Sequence, residues 1–338
     1  MNAVNHPISK VSTLRWLLKR EYWENRGGFL YAPFIAGIAS LVMSTVGIVI
    51  GLFVLRRAAS QGDLHINNSD IQVNGLDLDL LTRQLDPKDL VELGNGLDAT
   101  LALSSAWPFV VLGFVVFFYC LGALYDDRRD RSILFWKSLP LSDTQTVLSK
   151  LISAVLVAPI IAVVASIVTM LCFLVVISIV ALTHGGDPMA LIWGPSSPLL
   201  LAAGHLSWIP VFMLWSLPTV GWLLLCSSWA KSKPFLWAVM LPLFAGIVVS
   251  TTKVMGLFDM TSGWFWQHIV GRLLLGTIPG VELAYRPEAA MSRDSIVELL
   301  SPSHQLGALA LPEIWIGAAV GIVFIFIAIR LRRRAGEI

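Results

Sequence analysis

The stretch that decides the fold runs from residue 151 to residue 182 and reads LISAVLVAPIIAVVASIVTMLCFLVVISIVAL. It contains no Asp, Glu, Lys or Arg. About 20 helical residues cross a hydrocarbon core of about 30 Å, so an uncharged apolar run of this length is typical of a membrane span. A segment in lipid has to satisfy its own backbone hydrogen bonds, and the run is therefore predicted to be a transmembrane helix.

The composition extends this conclusion to the whole chain. Of its 338 residues, 56% are hydrophobic and 14% are charged, whereas soluble chains have about 25% charged residues. A soluble globule and a disordered chain are therefore excluded, and the net charge of +2 is too small to indicate a nucleic-acid partner. Cys120, Cys172 and Cys226 have no pairing or metal-binding spacing, so we interpret them as apolar packing residues.

Apolar windows predict an all-α membrane protein with six transmembrane helices. The predicted domains are an N-terminal arm at 1–28, a six-span transmembrane domain at 29–331 and a basic tail at 332–338. The spans themselves are Phe29–Leu55, Ser105–Tyr125, Leu151–Leu182, Leu199–Trp229, Pro234–Ser250 and Pro312–Leu331.

The distribution of charge predicts that both termini face the cytoplasm. In that orientation the cytoplasmic side receives the arm, the loop 126–150, the Lys231/Lys233 turn and the C-terminal residues from Arg330 onward. These segments hold 16 of the 24 basic residues and 7 of the 22 acidic ones. The excess of Lys and Arg inside follows the positive-inside rule. Arg56 and Arg57, just after the first span, are the local exception.

The N-terminal arm is predicted to form a basic amphipathic helix. Val11, Leu14, Leu18 and Tyr22 recur at helical spacing, and basic side chains occupy much of the remaining surface. Such a helix lies in the membrane interface. A soluble helix that caps another subunit is the alternative.

Two outer segments are longer than simple connections. The first, 56–104, carries a hairpin signal around Asn74-Gly75 and a helical start at Pro87 that we extend to Leu93. It is either a small exported cap or a loop packed on the ends of the spans. The second, 251–311, contains Trp264-Phe-Trp and the short apolar run Leu273–Ile278. This run is too short to span, so we interpret it as a re-entrant or interfacial segment, with an ordinary aromatic belt as the alternative.

Small residues and prolines predict where helices approach closely or bend. Ala154, Ala158, Ala162 and Ser166 form a small-residue stripe in the third span, and Gly317 and Gly321 form another in the last. Kinks are predicted at Pro210 and Pro218 in the fourth span and at Pro242 in the fifth. The third span is longer than a membrane crossing needs, so it must tilt, kink at Pro159 or project into water.

The loop between the second and third spans is the most informative segment. It packs alternating charges into Asp126–Arg131 and continues with apolar and aromatic residues to Trp136. Pro140 then ends the helix, and Ser142 with Gln145 forms a capping box that starts the next one. A short helix carrying Arg, Phe and Trp is typical of a protein docking surface. A loop that merely anchors the span ends is the alternative.

This loop resembles the coupling-helix region of ABC-2 type transporter permeases. The matching elements are the charged run Asp127–Arg131, the apolar stretch Ile133–Trp136, the sequence Leu139-Pro-Leu-Ser142, and Lys150. The basic arm, six spans and short second cytoplasmic loop are similar as well. The chain departs from the family in having Asp127 or Asp130 where Glu is common, and in its long first outer loop.

The resemblance implies a membrane subunit of an exporter in the bacterial inner membrane. Such a subunit dimerises with itself or a paired permease, contacts membrane lipid, and binds separate ATPase subunits that hold ATP and Mg. This chain would then not be an enzyme and would carry no cofactor, which agrees with the lack of a phosphate-binding Gly-Lys motif. The residues implied to contact the ATPase are Asp127, Arg128, Asp130, Arg131, Phe135 and Trp136; those implied to gate the outer end are Trp264, Trp266 and Pro279.

Other functional classes have weaker support in the sequence. An intramembrane enzyme or an ion-coupled transporter is expected to carry ionisable residues within its spans. The six predicted spans contain no Asp, Glu, Lys or Arg except at their ends, and His205 is interpreted as a packed or interfacial residue. A passive channel remains an alternative, and a lipid, a peptide or a drug is the expected kind of substrate.

Overall fold

The computed structural model describes residues 10–61, 86–130, 142–252, 256, 261–285 and 296–334. Within these ranges the chain is helical and contains no strand. Six of the described helical segments are long and apolar enough to cross a membrane. The prediction of an all-α, multi-pass membrane protein is thus confirmed. The hairpin predicted around Asn74 and the loop residues Arg131, Phe135 and Trp136 lie outside the described residues.

Several of the described helices continue through a π-helical turn. They are α1 (Lys10–Glu24), α2 (Ala32–Gln61), α3 (Pro87–Ser104), α4 (Trp107–Ala123), α5 (Tyr125–Arg129), α6 (Asp143–Ile152), α7 (Ala158–Thr183), α8 (Pro198–Trp215), α9 (Leu217–Trp229), α10 (Pro234–Thr252), α11 (Ser262–Phe265), α12 (Arg272–Leu275), α13 (Ile296–Leu299), α14 (Pro302–Gly307) and α15 (Pro312–Arg334).

The observed helices extend the predicted spans. α2 continues past Leu55 to Gln61, and α15 continues past Leu331 to Arg334. The helix that starts at Pro87 does not stop at Leu93 but runs to Ser104. Asp86 caps it, with its backbone N–H donating to the Asp89 carboxylate at 3.1 Å. The segment 56–104 therefore ends in a full helix that leads directly into the second predicted span.

A proline coincides with the break of one predicted span, whereas other helices continue through their prolines. α8 ends at Trp215 and α9 begins at Leu217, because Pro218 sits in the first turn of the new helix and cannot donate a backbone hydrogen bond to the preceding turn. The predicted fourth span is therefore two helices. Pro210 and Pro242 lie inside α8 and α10 without ending them. Before Pro159, a π-helical turn at Ser153–Val157 joins α6 to α7.

Small residues let the central helices pack with their backbones in contact. A Cβ added at Gly221 on α9 would lie 2.6 Å from the Gly321 carbonyl oxygen on α15, so only glycine fits this crossing. The predicted stripe at Ala154, Ala158, Ala162 and Ser166 is fully buried in the same core. Close helix contact at both predicted stripes is thus confirmed.

The bundle has two dissimilar ends. One end, which we call the α1 end, carries α1, α5, α6 and the last turns of α9 and α15. The other, the α3 end, carries α3, α13, α14 and the first turns of α8. A hairpin segment at 261–285, which contains α11, α12 and the turn Val281–Tyr285, packs against α9, α10 and α15.

Candidate functional site

Six charged side chains form a connected ion cluster at the α1 end. They come from four separate parts of the chain: α1, the turn after α4, the start of the third span, and the end of α15. Three are carboxylates and three are cations, and Arg20 also pairs with the exposed Glu24, with 3.2 Å between Nε and Oε1. The members of this ion cluster are Arg20, Glu21, Asp127, Asp143, Lys150 and Arg332.

The contacts run through the cluster as a chain of ion pairs. Lys150 Nζ lies 3.2 Å from Glu21 Oε1 and 3.7 Å from Asp127 Oδ2. Arg332 Nη1 lies 3.0 Å from the same Asp127 oxygen, and its Nε lies 3.2 Å from Asp143 Oδ1. Asp127 therefore joins the two cations at the centre of the cluster.

The centre of the cluster is buried, so the loss of one of its charges should destabilise the fold. The side chains of Glu21, Lys150 and Arg332 are 1%, 5% and 4% exposed. Tyr119 donates a further hydrogen bond to Glu21 Oε2 at 2.8 Å. Removing one partner from a buried ion pair leaves an uncompensated charge and costs about 3–5 kcal/mol. These four helical regions are therefore held in one relative arrangement.

Local sequence explains how each charge reaches the cluster. Glu21 lies one helical turn after Leu17, so both face inward from α1. Ser142 accepts a hydrogen bond from the Gln145 backbone N–H at 3.2 Å, as the predicted capping box requires, and this fixes Asp143 in the first turn of α6. Arg332 lies in the last turn of α15, where a cation also interacts favourably with the helix dipole.

Arg128 ties the same region to α9. Its Nη2 donates to the backbone carbonyls of Ser227 and Ala230, where α9 ends and its last carbonyls have no helical partner. In return the Ser227 hydroxyl accepts the backbone N–H groups of Leu124 at 3.0 Å and Tyr125 at 2.9 Å. The end of the second span and the end of α9 therefore cap each other.

The cluster and this junction lie on both flanks of the loop 131–141. Asp127 and Arg128 precede the loop and are engaged within the chain, whereas Asp130 is exposed. Asp143 and Lys150 follow it. The side chains predicted to dock a partner thus include two, Asp127 and Arg128, that contact other helices of this chain.

A polar cavity of about 250 Å³ adjoins the cluster. Its lining includes Glu21, Asp127 and Lys150 of the cluster, together with Glu24 and the exposed Asp126. The cavity separates α1 from the end of the second span.

The hairpin segment places the three predicted gate residues in different surroundings. Trp266 donates its indole N–H to the Ser250 hydroxyl at 2.8 Å and packs over Gly246 of α10. Trp264 stacks on His268, with 5.0 Å between the ring centroids. Pro279 lines a cavity of about 190 Å³ beside Trp208. The structure therefore puts these residues on one segment but not around one opening.

Sequence reasoning missed two charges that the hairpin segment carries inside the bundle. Arg272 is 7% exposed and lies over the Trp215 ring, and Glu282 is 3% exposed and accepts the Trp208 indole N–H at 2.7 Å. Both lie outside the six spans in sequence, so a search of the spans could not find them. The sequence signal that could have indicated a buried charge was the single arginine in the apolar stretch between Trp264 and Ile278.

The contacts of His205 support its interpretation as a packed residue. The ring stacks on Phe109 with 5.2 Å between centroids, and its Nδ1 lies 2.6 Å from the Leu201 carbonyl oxygen. The side chain is buried at the edge of the cavity that Pro279 lines. No group of metal-binding residues occurs within the ranges that the structure describes.

No protein-family model, curated protein or solved structure matches this chain.

Proposed function

We propose that this chain is the membrane-spanning subunit of an ABC-2 type exporter. In this proposal the α1 end faces the cytoplasm, both termini are cytoplasmic, and separate ATPase subunits dock on the loop 131–141. The chain itself performs no chemistry, and ATP and Mg are bound by the partner. Two permease chains, identical or paired, form the transport path for a lipid-like, peptide or drug-like substrate.

The observation that supports this proposal best is the position of the ion cluster. Asp127 on one flank of the loop and Asp143 and Lys150 on the other are ion-paired to α1 and to the end of α15. In this proposal a push on the loop acts on the arm and on the second, third and last spans together, because these ion pairs join all four. An energy-coupling loop needs this kind of connection, whereas a loop that only anchors span ends does not.

The positions of the charges also support the proposed orientation. Basic side chains in the last turn of α15, among them Arg332 and Arg333, lie at the α1 end together with α1 and α6. This end would be the cytoplasmic one by the positive-inside rule. The arm α1 would lie in the membrane interface, with exposed Trp16 and Trp23 facing lipid headgroups.

Purification and removal of the docking aromatics test the proposal. We expect the wild-type chain, extracted in mild detergent from cells that contain its neighbours, to bring an ATP-hydrolysing subunit with it. The double variant Phe135→Ala with Trp136→Ala should lose most of this subunit and of the ATP hydrolysis, while membrane insertion stays intact.

The matched control is Phe53→Ala with Trp107→Ala, which removes one exposed Phe and one exposed Trp distant from the loop. This control should retain the ATPase. Recovery of the wild-type chain without any ATPase would overturn the proposed function. Equal ATPase recovery in both double variants would move the docking surface away from the loop.

Ion-coupled transport is the second candidate, and the buried Glu282 favours it. A carboxylate inside a bundle can carry a coupling ion or proton. Glu282 lines the cavity of about 190 Å³ together with Trp208, which hydrogen-bonds it. The purification distinguishes the two functions, because an ion-coupled transporter is recovered without an ATPase.

A further inference from the structure

A third cavity, of about 480 Å³, lies between the hairpin segment and α15. Its walls are largely apolar and include Ile316, Val320 and Phe324 of α15. Ile316 is 65% exposed and Val320 41% exposed on the outer face of that helix. In a chain that spans a membrane, a molecule in the bilayer can enter this cavity from the side.

The polar residues that line this cavity include His268, Tyr285, Glu313 and one permanent cation, Arg272. The residue is 7% exposed, and neither Nη1 nor Nη2 has a hydrogen-bond acceptor among the described residues. None of the ion pairs in the described ranges includes it. A buried charged donor without an acceptor is costly, and few such groups occur in native structures without a reason.

The structure holds Arg272 in place by contacts that leave its two Nη groups without acceptors. Its guanidinium carbon lies 3.2 Å from the centroid of the Trp215 ring. The Thr219 hydroxyl donates to its backbone carbonyl at 2.6 Å. A Cβ at position 317 would lie 2.6 Å from Nη2, so glycine on α15 makes room for the guanidinium. The side chain is thus positioned before any ligand enters.

We propose that this cavity binds an amphipathic molecule whose headgroup carries a carboxylate or a phosphate, with the anionic oxygens on Arg272 and the apolar tail along Ile316, Val320 and Phe324. A guanidinium offers parallel N–H donors that match the two oxygens of such a group. The cavity volume lies within the range of small-molecule sites. Glu313, in the first turn of α15, is exposed and also lines the cavity.

The site is independent of the proposed ATPase partnership and can be tested by binding alone. The full chain, purified in a neutral detergent, is incubated with dioleoyl phosphatidate or with dioleoylglycerol, which has the same tails and no phosphate. Oleate and oleyl alcohol form a second matched pair. Native mass spectrometry then measures the fraction of protein that retains one ligand.

We expect the wild type to retain an anionic probe in preference to its neutral counterpart. Arg272→Gln should lower the affinity for that probe about tenfold or more, because hydrogen bonds to a charged group are lost. Since this variant also removes a buried contact, Ile316→Trp provides a second test by filling the cavity without touching Arg272. Ile322→Trp is the control, because Ile322 is 60% exposed on the same helix and lies outside the cavity lining.

Retention of phosphatidate would identify the ligand as a bilayer lipid, and retention of oleate alone would identify it as a free amphiphile; each supports the proposal. Equal retention of anionic and neutral probes would overturn it. Undiminished retention in Ile316→Trp would overturn it as well, even if Arg272→Gln failed to fold.

Discussion

At the scale of single residues, Lys150 shows how one charge can organise a membrane protein. Its ammonium group contacts Glu21 of α1 and Asp127 after α4 while its side chain is 5% exposed. Its loss would leave two carboxylates without this cation. The resemblance to permeases singled out Lys150 only as a lysine near the start of a span; the structure supplies its two partners.

Lys150→Met should destabilise the protein by about 3–5 kcal/mol, because Glu21 and Asp127 would stay buried with less compensation. The thermal unfolding midpoint in mild detergent measures the effect. Adding Glu21→Gln should recover part of the loss, since it removes one of the two uncompensated charges. Lys231→Met, at an exposed lysine of the same end, should leave the midpoint unchanged. A Lys150→Met midpoint equal to that of this control would show that the cluster does not stabilise the fold.

At the scale of elements, the contact between α9 and α15 is the most extensive one between the described helices. Gly221 and Gly321 pack with their backbones touching, so α15 follows the position of α9 closely. Arg128 fixes the end of α9 to the turn before the loop, and Arg332 fixes the end of α15 to both flanks. The two helices are thus linked to the loop by two independent routes.

Gly221→Leu should separate α9 from α15 and destabilise the protein by about 1–3 kcal/mol or more, because the new side chain meets backbone atoms that cannot move aside. The same substitution at Gly47 of α2, which has open space around it, should cost much less. Thermal unfolding of both variants checks this. Equal midpoints would contradict the glycine-dependent crossing.

At the scale of the whole molecule, the features that could be predicted from the sequence are those that depend on a pattern within one helix. The scarcity of charge identified the six spans, and Ser142 with Gln145 identified the start of the third, because both signals lie within one helix. The break after Trp215 was anticipated only as a kink at Pro218, since a proline alone does not show whether a helix bends or ends.

The parts that were not predictable depend on contacts between distant segments. Glu21, Asp127 and Arg332 are far apart in the chain, and their pairing follows only from helix packing. Arg272 and Glu282 were assigned to an outer segment, yet the hairpin folds them between α8, α9 and α15. Charges outside the spans can therefore still line the interior.

The central claim is that nucleotide bound to a separate ATPase moves this chain through the loop and the ion cluster. Hydrogen exchange of the purified complex, with and without a non-hydrolysable ATP analogue, tests it most directly. The account predicts that the analogue changes hydrogen exchange in α1, α6 and the last turn of α15. Arg332→Gln should abolish the change in α15. Arg334→Gln, at an exposed neighbouring residue, is the control and should preserve it. Identical exchange with and without the analogue in these three elements would contradict the account.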